Sequence, residues 1–113
     1  MPFEISPKPV EAPVVRKAPF GHYAEALLRG CAVSAPTTGL LCVQDERGLR
    51  ACAIGALALG FGFKPGEVHR WDVSVAKSVL DDAYRRKYGT WIERDNDSRN
   101  FTREEIAARI AAL

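Results

Sequence analysis

Apolar side chains recur at helical spacing in three stretches of the chain. Tyr23, Ala24, Leu27 and Leu28 predict a helix over Gly21 to Gly30, with Gly30, which takes left-handed backbone without strain, as its stop. Val75, Ala76, Val79, Leu80, Ala83 and Tyr84 form the apolar stripe of the longest predicted helix, Asp72 to Tyr88. Asp72 is its expected N-cap, Lys77, Asp81 and Arg85 face water, and Gly89 ends it. Ile106, Ala107, Ile110 and Ala111 mark a third helix over Thr102 to Leu113. Thr102 and Glu105 have the spacing of a capping box, and Phe101 and Ile106 that of a hydrophobic staple.

The intervening segments break this period. Cys52 to Leu59 is small and apolar on every side, the pattern of a short central helix buried all round. There Gly55 and the alanines let a neighbouring backbone approach closely. Leu40 to Val43 and Leu49 to Ala51 predict a short hairpin around a turn in Gln44 to Gly48. Thr90 to Arg94 predicts a further single turn of helix with Trp91 and Ile92 inward. Gly60 to Lys64 lacks the Gly-Lys-Ser/Thr ending of a phosphate loop and reads as a connection with two aromatic anchors. The expected fold is mainly α: three main helices, a short turn-helix and a small β-hairpin in one domain, residues 20–113.

Residues 1–19 follow another rule. Pro2, Pro7, Pro9, Pro13 and Pro19 each lack an amide donor and push the preceding residue toward extended backbone, so a helix cannot form. Phe3, Ile5, Val10, Val14 and Val15 punctuate this arm, and a solvated linker has little use for them. The plain alternative is a frayed terminus. The other reading is an extended arm lying on a surface, with Ile5, Val10, Val14 and Val15 as the contacts.

The 113 residues suffice for one domain, and 47% hydrophobic with 27% charged content excludes global disorder. Sixteen basic against fourteen acidic residues leave a net charge of +2. That balance weighs against nucleic acid, whose binders carry a clear basic excess. The longest apolar run, Ala51 to Phe63, is too short and glycine-rich to cross a bilayer, and the first twenty residues hold no apolar signal-peptide core. The expected location is the cytoplasm, or a virion, with Cys31, Cys42 and Cys52 reduced.

The residues offer four candidate chemistries, each with a plainer alternative. Cys52, at the start of the central helix, could be a nucleophile with His22 or His69 as base, or simply a small buried hydrophobe. The three cysteines contain no Cys-x-x-Cys pair, so neither a metal site nor a cofactor is expected. Counted as a calcium loop from Asp95, the run would put Arg99 and Asn100 where a ligand and a glycine belong, so Asp95 to Asn100 reads as a polar turn. Arg70 and Trp71, beside His69, with Arg85, Arg86 and Lys87 could form a basic, aromatic face for nucleic acid, or a solvated helix end.

Cys52-Ala53-Ile54-Gly55-Ala56, the Ala83-Tyr84 to Tyr88-Gly89 segment, and Asn96-Asp97 ahead of the Thr102 helix start together resemble small uncharacterised proteins of bacteria and their phages. Those are built on a Cys-Ala-x-Gly-Ala helix and a later Asn-Asp turn. The likeness spans most of residues 23–113 and omits the arm. It implies a compact helical fold and a bacterial or phage setting, and no activity. The leading expectation is a non-enzymatic interaction or assembly protein whose arm docks on a protein partner or another copy of the chain, such as a phage-derived particle component or an inhibitor of a host system. The alternatives are a small cysteine-dependent enzyme using Cys52 and a weak nucleic-acid-binding module.

Overall fold

The computed structural model describes residues 19–98 and 101–113; the arm contacts expected at Ile5, Val10, Val14 and Val15 lie outside them. The expected mainly α architecture is present. Helices α1 (Gly21–Val33), α2 (Ala53–Gly60), α3 (Val68–Asp72), α4 (Val75–Tyr88), α5 (Ile92–Asp97) and α6 (Arg103–Ala111) are joined by a small, largely exposed sheet between α1 and α2. The sheet strands are β1 (Ala35–Pro36), β2 (Cys42–Asp45) and β3 (Gly48–Ala51).

The centre of the molecule is the contact of α1 with α2. Every residue of α2 from Ala53 to Ala58 is buried, as the all-round apolarity of that segment requires. A Cβ on Gly30 would fall 1.7 Å from the Ala56 carbonyl oxygen, and one on Gly60 would fall 1.6 Å from that of Ala26. Ala26 and Gly30 of α1 thus meet Gly60 and Ala56 of α2 in antiparallel order, backbone against backbone. Gly30 is therefore not the helix stop its flexibility suggested. The helix runs on to Val33, and Gly30 sits inside it because no side chain fits there. Gly55 plays the same part toward the Leu41 carbonyl, 1.8 Å from where its Cβ would stand.

The expected hairpin forms between β2 and β3, with Asp45 opposite Gly48 and Cys42 opposite Ala51. Gly48 has φ 103°, and the Asp45 carboxylate accepts the Arg47 amide across the turn. The two-residue β1 was not expected. It pairs in parallel with β3, giving the order β1-β3-β2. Its residues, Ala35 and Pro36, follow α1 directly and carry no strand signal of their own.

The predicted long helix from Asp72 is two helices. Asp72 ends α3, and Ser74 caps α4 instead: its Oγ accepts the Lys77 amide at 3.2 Å and donates to the Trp71 carbonyl at 2.6 Å. A serine that takes both roles offers the backbone an alternative to continuous helix. The buried face of α4 also differs from the predicted stripe. Leu80 and Tyr84 are buried as expected, but Lys77 joins them, while Val75 and Val79 lie outside, 80% and 50% exposed. Lys77 was expected in water. Its ammonium instead bonds Asp81 at 2.7 Å and Glu93, with Asp72 at 3.5 Å, so α4 rolls toward α5 around that charge cluster.

Asp95 and Asn96 belong to α5 and are buried, not part of a polar turn. The turn-helix at Thr90 is this longer element; it buries Ile92, whereas Trp91 stays 46% exposed. The Gly89 stop has φ 72°. The Thr102–Glu105 capping box of α6 forms in both directions: Thr102 Oγ1 accepts the Glu105 amide at 3.0 Å, and the Glu105 carboxylate accepts the Thr102 amide at 2.7 Å. Ile106, Ala107 and Ile110 face the core, but Ala111 is exposed.

Candidate functional site

Two of the segments singled out in the sequence, the one that opens with Cys52-Ala53 and the Asn96-Asp97 pair, meet in space. Cys52 caps α2, its Sγ accepting the Gly55 amide at 3.4 Å. Asn96, from the last turn of α5, accepts the Ala53 amide on its Oδ1 at 3.1 Å. The same carboxamide donates to the Thr37 carbonyl at 3.4 Å and to Asp97, whose carboxylate accepts the Gly39 amide at 3.0 Å. Asn96 therefore fastens the start of α2, the end of β1 and the loop to β2 at one point. A small cavity of about 150 Å³ lies alongside, with Cys52, Glu93, Asn96 and Asp97 on its walls.

This arrangement holds the fold together and is poorly suited to nucleophilic chemistry. Burial pushes the Cys52 thiol above its ordinary value. The Gly55 and Ile54 amides pull it back only in part, and Asp97 and Glu93 add to the rise. A thiolate is thus disfavoured at neutral pH. Neither His22 nor His69 lines the cavity. His22 stands at the start of α1 against Tyr23, with ring centroids 4.4 Å apart, and His69 lies exposed on α3. Burial also raises the Cys31 and Cys42 thiols, and all three cysteines are free. Among the described residues no group of His, Cys, Asp and Glu side chains could hold a metal ion, and no helix is long and apolar enough to cross a membrane.

The basic residues are each engaged separately. Trp71 is buried in the core and packs with Tyr23 and Phe61, so its ring offers no stacking face. Arg70 stands 3.8 Å from Glu67, Arg85 lies over the Trp91 ring at 5.0 Å, Arg86 pairs with Asp82 at 3.0 Å, and Lys87 donates to the Ala112 carbonyl at 2.6 Å.

A second buried network was invisible in the sequence. Tyr84 donates to Asp95 at 2.6 Å and accepts from Arg109 Nε at 2.9 Å, which joins α4, α5 and α6. The Arg109 guanidinium also stacks 3.8 Å from the Tyr88 ring centroid. Burial and the Asp95 carboxylate both raise the Tyr84 phenol pKa, against the opposing pull of Arg109.

What the described surface does offer a partner is apolar. Val73 and Val75 are 81% and 80% exposed, and Val79 continues them one turn along α4. Three β-branched side chains bridging the α3–α4 junction and the outer face of α4 are a patch that water does not favour. Val75 and Val79 were expected in the buried stripe of this helix, and the structure puts both on its outer face. Compared with known proteins, the chain matches no family model, no curated protein and no solved structure.

Proposed function

We propose that this chain is a non-catalytic interaction and assembly protein in which the N-terminal arm of one copy docks on the valine face of α4 of a second copy. The observation that carries this reading is the exposure of Val73 at the end of α3 and of Val75 and Val79 on α4, a helix that buries Leu80 and Tyr84. Covering three such side chains contributes about 3–5 kcal/mol, too little for a stable dimer on its own. The arm supplies the rest. Ile5, Val10, Val14 and Val15 are apolar, and the prolines among them disfavour helix, which lowers the ordering cost of docking in extended form.

The described chain begins at Pro19, and the Phe20 ring packs edge-on to Tyr23 at 5.2 Å, inside the cluster with Phe61 and Trp71. Val73 follows Trp71 by two residues. Eighteen extended residues reach roughly 60 Å, ample to cross to a neighbour. Arm and receiving face lie on one chain, so a two-fold pair satisfies both at once. A phage-derived particle component would use such an exchange, in keeping with the setting the resemblance implies.

Replacing Val73, Val75 and Val79 together by Ser tests the proposal by sedimentation. The unmodified chain should sediment as a dimer or larger assembly and the variant as a monomer that keeps the same helical circular-dichroism spectrum. A monomeric unmodified chain, or a variant of undiminished mass, would contradict it.

A further inference from the structure

Lys77 joins α3, α4 and α5 in one charged cluster. Its side chain is 9% exposed, and its ammonium meets Asp81 at 2.7 Å, Glu93, and Asp72 at 3.5 Å. Among the described residues no other cation stands within ion-pair distance of these carboxylates. Arg85, one turn beyond Asp81, lies over the Trp91 ring, and Arg70 on α3 faces Glu67. On α5, Arg94 is exposed, Asp95 is taken up by Tyr84 and Arg109, and Asp97 accepts the Gly39 amide. Three carboxylates on one ammonium leave the ionised cluster with a net charge of −2.

The two oxygens of Asp81 differ. Oδ2 pairs with Lys77, whereas Oδ1 is shut off from water and has no hydrogen-bond partner. A carboxylate oxygen that has lost water and gained no donor is costly while charged, and much less so once the group is protonated. The neighbouring carboxylates Glu93 and Asp72 disfavour the same charge. The Asp81 side chain is 16% exposed, against 31% for Asp72 and 41% for Glu93, so a proton entering the cluster goes to Asp81. Burial, with Glu93 and Asp72, holds the Asp81 carboxyl above its ordinary value, and Lys77 offsets this only in part.

We propose that Asp72, Lys77, Asp81 and Glu93 form a proton-operated latch between α3, α4 and α5, which takes up one proton on Asp81 as pH falls and then holds the three helices more firmly. Lys77 keeps Glu93 and Asp72 as partners throughout, so protonation removes surplus charge and strands none. The latch lies on the buried side of α4 and does not rest on the valine face.

Asp81 binds its proton more tightly folded than unfolded. Its contribution to stability is therefore complete below about pH 4, where the free side chain is protonated too, and is lost as pH rises through the folded value. An ordinary surface ion pair has the opposite dependence.

Two measurements on the full-length chain, at one fixed concentration, test the latch. Carboxyl-carbon NMR titration should find Asp81 protonating at higher pH in the folded protein than in urea, and Glu93→Gln should move the folded midpoint down. Urea midpoints of the unmodified chain and of Asp81→Asn, which stands in for the protonated form, are then compared from about pH 7 to about pH 4. The variant's midpoint minus that of the unmodified chain should fall as pH falls, because acid gives the unmodified chain the neutral group that the variant already has. The titration decides the question by itself where Asp81→Asn does not fold. A folded Asp81 that protonates at or below its unfolded midpoint overturns the proposal. So does a Glu93→Gln midpoint that stays or rises, or a difference between the two chains that is flat or grows on acidification.

Discussion

At Asn96 one carboxamide closes a buried amide of α2, a half-buried carbonyl of the β1 loop and an exposed carboxylate of its own helix. Removing it leaves the buried Ala53 amide without that acceptor, so Asn96→Ala should lower stability by about 1–3 kcal/mol, read as a lower urea midpoint. Cys52 next to it should behave as a core residue. Its labelling by a thiol reagent should be limited by unfolding, and rapid labelling of the native protein would point back to a nucleophile. Tyr84 and Lys77 make a prediction in pH. Burial alone would lower the Lys77 pKa, but hydrogen bonds to Asp81 and Glu93 outweigh it and raise the value; the Tyr84 pKa is raised by burial and by Asp95. Both groups hold their protons more tightly folded than unfolded. Their contribution to stability is therefore complete at neutral pH and declines as pH rises above about 10, where the unfolded side chains begin to ionise. Urea midpoints measured from neutral to alkaline pH should fall in that window, and Tyr84→Phe should make the fall shallower.

Among the elements, the α1–α2 pair has the strictest requirement. Helix propensity favours Ala over Gly by about 1 kcal/mol, yet Gly30→Ala and Gly60→Ala should each destabilise by about 3 kcal/mol or more, because the atoms in the way are backbone. The double variant should cost less than the sum, since one separation of the helices relieves both clashes. Gly66, with nothing near its missing Cβ, is the control: Gly66→Ala should leave the melting temperature level or slightly raised. These elements also show what could be read from sequence and why. Local rules sufficed for α2, the hairpin, the Gly89 stop and the capping box of α6, where the deciding contact lies within a few residues. They failed where a distant partner decides. Gly30 looks like a stop until Ala56 faces it. Lys77 looks solvated until Asp81 and Glu93 surround it, and with that the face of α4 turns. Asp95 and Asn96 look like turn residues, because composition cannot show that Tyr84, Arg109 and the start of α2 await them. Of the candidate residues, Cys52 and the Asn96-Asp97 pair were singled out in the sequence and do converge. Asp81 was not, since its role depends on Asp72 and Glu93, which stand on other helices.

For the whole molecule, the account rests on an arm and a receiving face that belong to each other across two copies. Simple patch-to-patch dimerisation would need only the valines, and docking of the arm on its own domain would leave a monomer. Mixing separates these arrangements. One full-length variant carries Ser at Ile5, Val10, Val14 and Val15, the other Ser at Val73, Val75 and Val79. Native masses are measured for each alone and for the mixture. The account predicts that each variant alone is monomeric, and that the mixture, at concentrations well above those at which the unmodified chain pairs, forms a heterodimer through its single intact arm-and-face contact. An arm variant that still dimerises by itself, or a mixture that stays monomeric, would contradict it.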